Sequence, residues 1–235
     1  MIYKITIYGE RCSGTTYLQN LMLLNFNVTL TWEYGWKHFF GFQNELLKNS
    51  DDTLFICIVR HPINWINSFY RSLHHSPLKY SQLCESDKIY SLLNNEFWSV
   101  NDNNPNNAHD YHEIMEDRHI YTGNRYNNVF EMRHTKMQFL LEDLPTKVKN
   151  YIVVRYEDLL DDLENVMTQL KCKNLQVRDN IIFPVNTTFY KNSKKNLFNR
   201  LCQKENLIDT NLILTNQNLN KYYENQLGYV MPDAS

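Results

Sequence analysis

No excess of charge of one sign marks this chain: 24 Lys and Arg stand against 26 Asp and Glu, a formal net charge of −2. Binders of nucleic acid or of acidic membranes ordinarily carry a strong basic excess, so neither partner is expected. Any anion site must then be built from a few positioned residues. No two of the five cysteines (Cys12, Cys57, Cys84, Cys172, Cys202) have the short spacing of a zinc knuckle or redox motif, and reduced thiols are the expectation. No apolar run is long enough to span a bilayer, and Met1 leads directly into the alternating stretch Ile2–Tyr8 without the layout of a signal peptide. A cytoplasmic location is therefore expected, with the sequons at Asn27 and Asn186 unused. Internal repeats are also missing. What remains, 235 residues with 43% hydrophobic and 21% charged side chains, suits one α/β domain over residues 1–235.

The hydrophobic pattern supplies the elements. Residues 2–8 alternate and end in Gly9, which reads as a strand running into a loop; residues 15–24 carry Leu18, Leu21 and Met22 at helical spacing. Thr53–Val59 is a continuous apolar run, the mark of a strand buried on both faces of a parallel sheet. Pro62 then suits a helix start, with Ile63, Ile66, Phe69, Tyr70 and Leu73 forming a stripe. Tyr151–Tyr156 is a third strand, followed by an acidic helix start at Glu157-Asp158. Helices are also expected over 126–143 and 216–227, the last packed on the sheet. Asn101–Asp110 has no periodicity and little to bury, so a loop or lid is expected over about 100–125. Alternating strands and helices predict a three-layer α/β fold, with a mostly parallel central sheet flanked by helices.

Two segments carry chemistry. Gly9-Glu10-Arg11-Cys12-Ser13-Gly14-Thr15-Thr16 joins the first strand to the first helix with the spacing of a P-loop, so a P-loop-like nucleotide-binding fold is expected. Glycines let the backbone curl with its N–H groups inward, the helix N-terminus adds partial positive charge, and Ser13, Thr15 and Thr16 add hydroxyls. The lysine of a nucleotide hydrolase is missing, because Thr15 stands in its place; Arg11 is the loop's cation and its natural substitute. By itself such a turn can be a plain strand–helix connection. The second segment begins with Arg60 at the end of the apolar strand, where ligands bind in open α/β folds, and Ser68 follows eight residues later on the next helix. Alone, Arg60 could pair with a surface carboxylate and Ser68 could be an ordinary helix-face residue.

Together these segments resemble the sulfotransferases that use 3′-phosphoadenosine-5′-phosphosulfate. The matching residues are Ser13-Gly14-Thr15-Thr16, Arg60 with Ser68, and Val154-Arg155-Tyr156-Glu157-Asp158-Leu159. The three motifs fall in the family's order and cover about residues 5–160. The resemblance implies that Arg11, Cys12, Ser13, Gly14, Thr15 and Thr16 hold the 5′-phosphosulfate. It implies that Arg60 and Ser68 hold the 3′-phosphate and that Tyr156 lies near the adenine. Two departures stand out: Cys12 occupies the place of the family's Lys or Arg before Ser-Gly-Thr, and the late Arg-Lys-Gly loop has no clear equivalent. Lys194 and Lys195, with Lys191 nearby, are the best candidates for the latter role.

Sulfuryl transfer to a hydroxyl or amine needs a base for the acceptor, charge stabilisation on the departing phosphate, and no metal. No metal-ligand spacing occurs in the sequence. The base is expected between the two phosphate motifs, in Trp32–Phe40: His38 first, Glu33 second, with Lys37 steadying the transferred group. His61 is a weaker rival, and His38 could equally be a satisfied core histidine. The expected product nucleotide is 3′,5′-adenosine diphosphate, and the acceptor a small molecule or carbohydrate. Competing readings are a P-loop phosphotransferase, which would want Lys at Thr15 and a magnesium-holding Asp at a strand end, and a non-catalytic nucleotide binder.

Overall fold

The computed structural model describes residues 1–77, 83–101, 112–179 and 207–231. Four parallel strands form its sheet, in the order β2-β1-β3-β4: β1 (Lys4–Tyr8), β2 (Thr29–Leu30), β3 (Thr53–Val59) and β4 (Tyr151–Arg155). Every residue of β3 is buried, which explains its unbroken apolar run. Within it the faces alternate. Leu54, Ile56 and Ile58 join Ile5, Ile7, Ile152 and Val154 on one side of the sheet. Phe55 and Cys57 join Tyr8 on the other.

Helices cover both sides. Helix α1 (Thr15–Asn25) lays Leu18, Leu21 and Met22 on the first face, beside α5 (Tyr156–Asp161) and α6 (Leu163–Lys171), which contribute Leu159, Val166, Met167 and Leu170. The second face is covered by Tyr34, Phe40 and Leu47 and by the end of a long helical stretch. That stretch starts as α4 (Val129–Gln138), capped by the Asn128 side chain, which accepts from the N–H groups of Phe130 and Glu131. It passes through a π turn (Phe139–Asp143) into a last turn at Leu144–Lys147. Helix α2 (Pro62–Ser72) packs beyond the strand ends with α3 (Glu85–Asn94), α4 and α7 (Thr210–Leu214) around Trp65, Phe69, Phe97 and Phe130. The last helix, α8 (Tyr222–Gln226), meets the sheet through Tyr223, which packs with Val59.

The strand order positions the site. After β1 the chain crosses to β2 on one side, then returns past β1 to place β3 on the other. The crevice outside the carboxyl ends of β1 and β3 is therefore the point where the winding direction reverses, the general ligand position of open α/β sheets. Both sequence motifs open into it. Gly9, directly after β1, allows the close approach: a Cβ there would lie 2.5 Å from the Ile58 carbonyl oxygen. Among the described residues no helix is long and apolar enough to cross a membrane.

Candidate functional site

Between β1 and α1 the backbone curls through Cys12 at φ 65° and Gly14 at φ 92°, both left-handed. Glycine is required at 14 for a second reason, since a Cβ there would sit 2.4 Å from the Tyr156 ring. Gly14 is the N-cap of α1 and no side chain caps the helix, so its leading N–H groups are left to the loop's concave side. Ser13 is 1% exposed, and its Oγ has no hydrogen-bond partner among the described residues. A buried hydroxyl left this way costs about 1–3 kcal/mol, a cost that a bound acceptor oxygen removes.

From the end of β3, Arg60 reaches across to the same loop. Its Nη1 donates to the Cys12 carbonyl at 2.8 Å, and its guanidinium lies 4.5 Å from the centre of the Tyr156 ring. The buried Nε has no hydrogen-bond partner among the described residues. Ser68, half-buried on α2, hydrogen-bonds the Cys12 thiol, whose pKa burial raises against the lowering charges of Arg11 and Arg60. Tyr156 thus packs between Gly14 and Arg60, and the loop, Arg60, Ser68 and Tyr156 share one neighbourhood. Arg60 is itself braced from behind: Arg133 Nη2 donates to its carbonyl at 2.7 Å while pairing with Glu224 through Nε at 2.7 Å.

Arg11 does something other than the sequence suggested. Its side chain turns out of the loop into the interior, where it is 2% exposed. There Nη1 donates to the His74 carbonyl at 3.0 Å and to Ser99 Oγ at 2.8 Å, and Nη2 meets Asp117 Oδ2 at 3.1 Å. The rings of Phe39, Phe69 and Phe97 surround the guanidinium at 5.0–5.9 Å. A buried guanidinium needs a carboxylate, and Asp117 supplies one that α1's N-terminus cannot. Arg11 is a strut between the loop and residues 97–117, not a cation facing a loop-bound anion.

The cation at the loop comes from elsewhere. Lys37 Nζ donates to Thr16 Oγ1, in the first turn of α1, at 3.1 Å, and burial lowers its pKa from the ordinary lysine value. The segment carrying it is fastened to the loop twice: Gly9 N donates to the Lys37 carbonyl at 3.0 Å, and His38 Nδ1 lies 2.7 Å from the Gly9 carbonyl oxygen. A carbonyl only accepts, so Nδ1 carries the proton and Nε2 keeps a lone pair. Burial is the main effect lowering the His38 pKa well below its ordinary value; the Gly9 bond opposes it, and Lys37, Arg11 and Lys136 add to it. The Trp36 ring stands edge-on to the imidazole at 4.8 Å, with His75 and Phe39 packed on that same indole.

The rival bases are held elsewhere. Glu33 is mostly exposed and lies 3.9 Å from Lys4 Nζ, at the beginning of β1. That is roughly 16 Å of strand from Gly9. His61 leans to the C-terminal segment, its ring 5.2 Å from Tyr229 and its backbone N–H donated to Glu157 Oε1 at 3.0 Å. Lys191, Lys194 and Lys195 lie outside the described residues, as do 102–111 of the expected lid. The flanks of that lid are anchored: Val100 bridges Glu113, Ile114 N donates to the Ser99 carbonyl at 2.8 Å, and Arg125 Nη2 pairs with Glu113 Oε2 at 2.8 Å.

Sequence reasoning missed the buried charge cluster under the loop: Glu10, Arg11, Asp117 and Lys136 all lie within 4% exposure. Its members come from three separate segments. The one legible signal was Lys136 within the apolar face of a helical pattern. Comparison with family models, curated proteins and solved structures finds no match to this chain.

Proposed function

We propose that this chain is a sulfotransferase: it holds 3′-phosphoadenosine-5′-phosphosulfate across the Gly9–Thr16 loop and Arg60, and transfers the sulfuryl group to a hydroxyl or amine. The observation carrying the proposal is the pair of buried polar groups without hydrogen-bond partners, Ser13 Oγ and Arg60 Nε, at the uncapped start of α1. Both groups donate, the helix end favours negative charge, and these donors fit phosphate oxygens.

In this reading Ser13, Gly14, Thr15 and Thr16 take the 5′-phosphosulfate, Arg60 and Ser68 the 3′-phosphate, and the Tyr156 ring borders the adenosine. Lys37 replaces Arg11 as the cation at the transferred group. The nucleotide supplies an activated S–O bond. An acceptor oxygen or nitrogen forms a bond to sulfur as the bond from sulfur to the 5′-phosphate oxygen breaks. His38 Nε2 takes the acceptor's proton, and Lys37 with the N–H groups of α1 stabilises the charge left on the phosphate. Trp36 and Phe39 line the acceptor side, suited to the apolar face of a sugar or a phenol ring.

The test is release of 3′,5′-adenosine diphosphate from the sulfated nucleotide, with sugar, phenol and amine acceptors supplied in turn. Acceptor-dependent release is expected from the wild type, with turnover at saturating nucleotide reduced roughly 10²–10⁴-fold in His38→Ala. Binding without release under any acceptor supports the non-catalytic reading instead.

A further inference from the structure

Lys136 is 1% exposed, on the buried side of α4. Its ammonium lies 2.9 Å from Glu10 Oε1 in the loop, donates to the His38 carbonyl at 2.9 Å, and meets Asp117 Oδ1 in a close ion pair. The ammonium thus donates to the His38 carbonyl and to Asp117, and holds Glu10 by charge. Packing alone does not call for this residue. Phe39 and Phe40 stand within 5.9 Å of the ammonium, and an uncharged side chain of similar length would fill the space beside them. Burying an ammonium costs several kcal/mol unless its partners are well placed, so the charge is explained by what it holds.

What it holds are the two halves of the site. Glu10 lies between Gly9, whose carbonyl fixes the His38 ring, and Arg11, whose carbonyl accepts from Trp65 Nε1 at 2.9 Å. The His38 backbone is the other anchor. We propose that Lys136 is a positioning residue: by tying Glu10 to the His38 backbone it keeps the imidazole and the anion-binding loop in one fixed relation, so that base and nucleotide site are set together. The proposal rests on the sulfotransferase reading only for what His38 and the loop do; the coupling of their geometry is independent of it.

The charged groups facing His38 are Lys37 on its own segment, Arg11 from the loop and Lys136 from α4, with Glu10 and Asp117 opposite the last two. Trp36 and, beyond it, His75 close the remaining side. Removing Lys136 takes away one cation that opposes protonation, so the ring should titrate at higher pH.

The experiment is long-range ¹H–¹⁵N NMR of the histidine rings, with the His38 signals assigned through His38→Gln. Calorimetry with 3′,5′-adenosine diphosphate runs in parallel. The charge-balanced double variant Lys136→Met/Glu10→Gln leaves Arg11 and Asp117 as the cluster's remaining ion pair. In wild type the ring should carry its proton on Nδ1. In the double variant it should become a mixture of tautomers, titrate at higher pH, and be accompanied by about a tenfold loss of nucleotide affinity. Lys136→Arg keeps the charge but not the three-way geometry, and should move the same signals less. His38 signals and titration unchanged in either folded variant overturn the proposal. If the His38 signals move while even the wild type ignores the nucleotide, the positioning stands and the sulfotransferase reading falls.

Discussion

At His38, burial and three nearby cations oppose the charged ring, and only the bond to the Gly9 carbonyl favours it. The folded-state pKa therefore lies below the unfolded value of about 6.5. Between those two values the unfolded chain binds a proton that the native state refuses, so stability falls as pH drops through that window and levels off beneath it. The slope is up to about 1.4 kcal/mol per pH unit for this one group. Urea unfolding from pH 7.5 to 4.5 should show a steeper loss in wild type than in His38→Gln; parallel curves would mean that His38 titrates normally. Arg11 shows where sequence reading stops at this scale. A cation in a glycine-spaced loop looks like an anion ligand, yet its partners stand 63 to 121 residues away in the chain. Nothing local announces Asp117, Ser99 or Met132, so the direction of the side chain was not legible. His38 and Lys37 were legible as residue types suited to the chemistry. Their delivery to the loop by two backbone-anchored hydrogen bonds was not.

Elements were read best where burial is uniform or periodic. β3 declared itself by seven consecutive buried positions, and α1 by the stripe that meets Ile5 and Ile7. β2 has two residues and pairs only through Thr29 and Leu30, too short to leave an alternation in the sequence. Helix α3 escaped notice because only Ser91, Leu92 and Leu93 of its ten residues are buried. Where β3 meets the Gly9–Thr16 loop, Arg60 bonds the Cys12 carbonyl through Nη1, while its Nε has no hydrogen-bond partner among the described residues. Arg60→Ala should lower affinity for 3′,5′-adenosine diphosphate by about 2–4 kcal/mol, the effect of deleting a charge-assisted hydrogen bond at a partly buried site. The effect should shrink for adenosine 5′-monophosphate, which lacks the 3′-phosphate. Calorimetry giving equal losses for both nucleotides would assign Arg60 to bracing the loop alone.

For the whole molecule, parallel strands separated by helices could be inferred, but their order could not. Whether β3 joins the sheet beside β1 or beside β2 depends on which side of β1 the chain returns, and no local pattern records that choice. The order β2-β1-β3-β4 is what brings Gly9–Gly14 and Arg60 to one crevice. It turns two separate motifs into one neighbourhood, where Ser13 Oγ, Arg60 Nε and the uncapped start of α1 lie together. A ligand with two phosphates placed for that site should bind without metal. The most direct measurement is titration of the wild-type chain with 3′,5′-adenosine diphosphate in the presence of a chelator, read by calorimetry and by thermal unfolding. Saturable binding is expected, with stabilisation of about 2.7 kcal/mol at a ligand concentration one hundred times its Kd. No response to this nucleotide, together with a magnesium-dependent response to ATP, would overturn the sulfotransferase reading and return the site to the phosphotransferases.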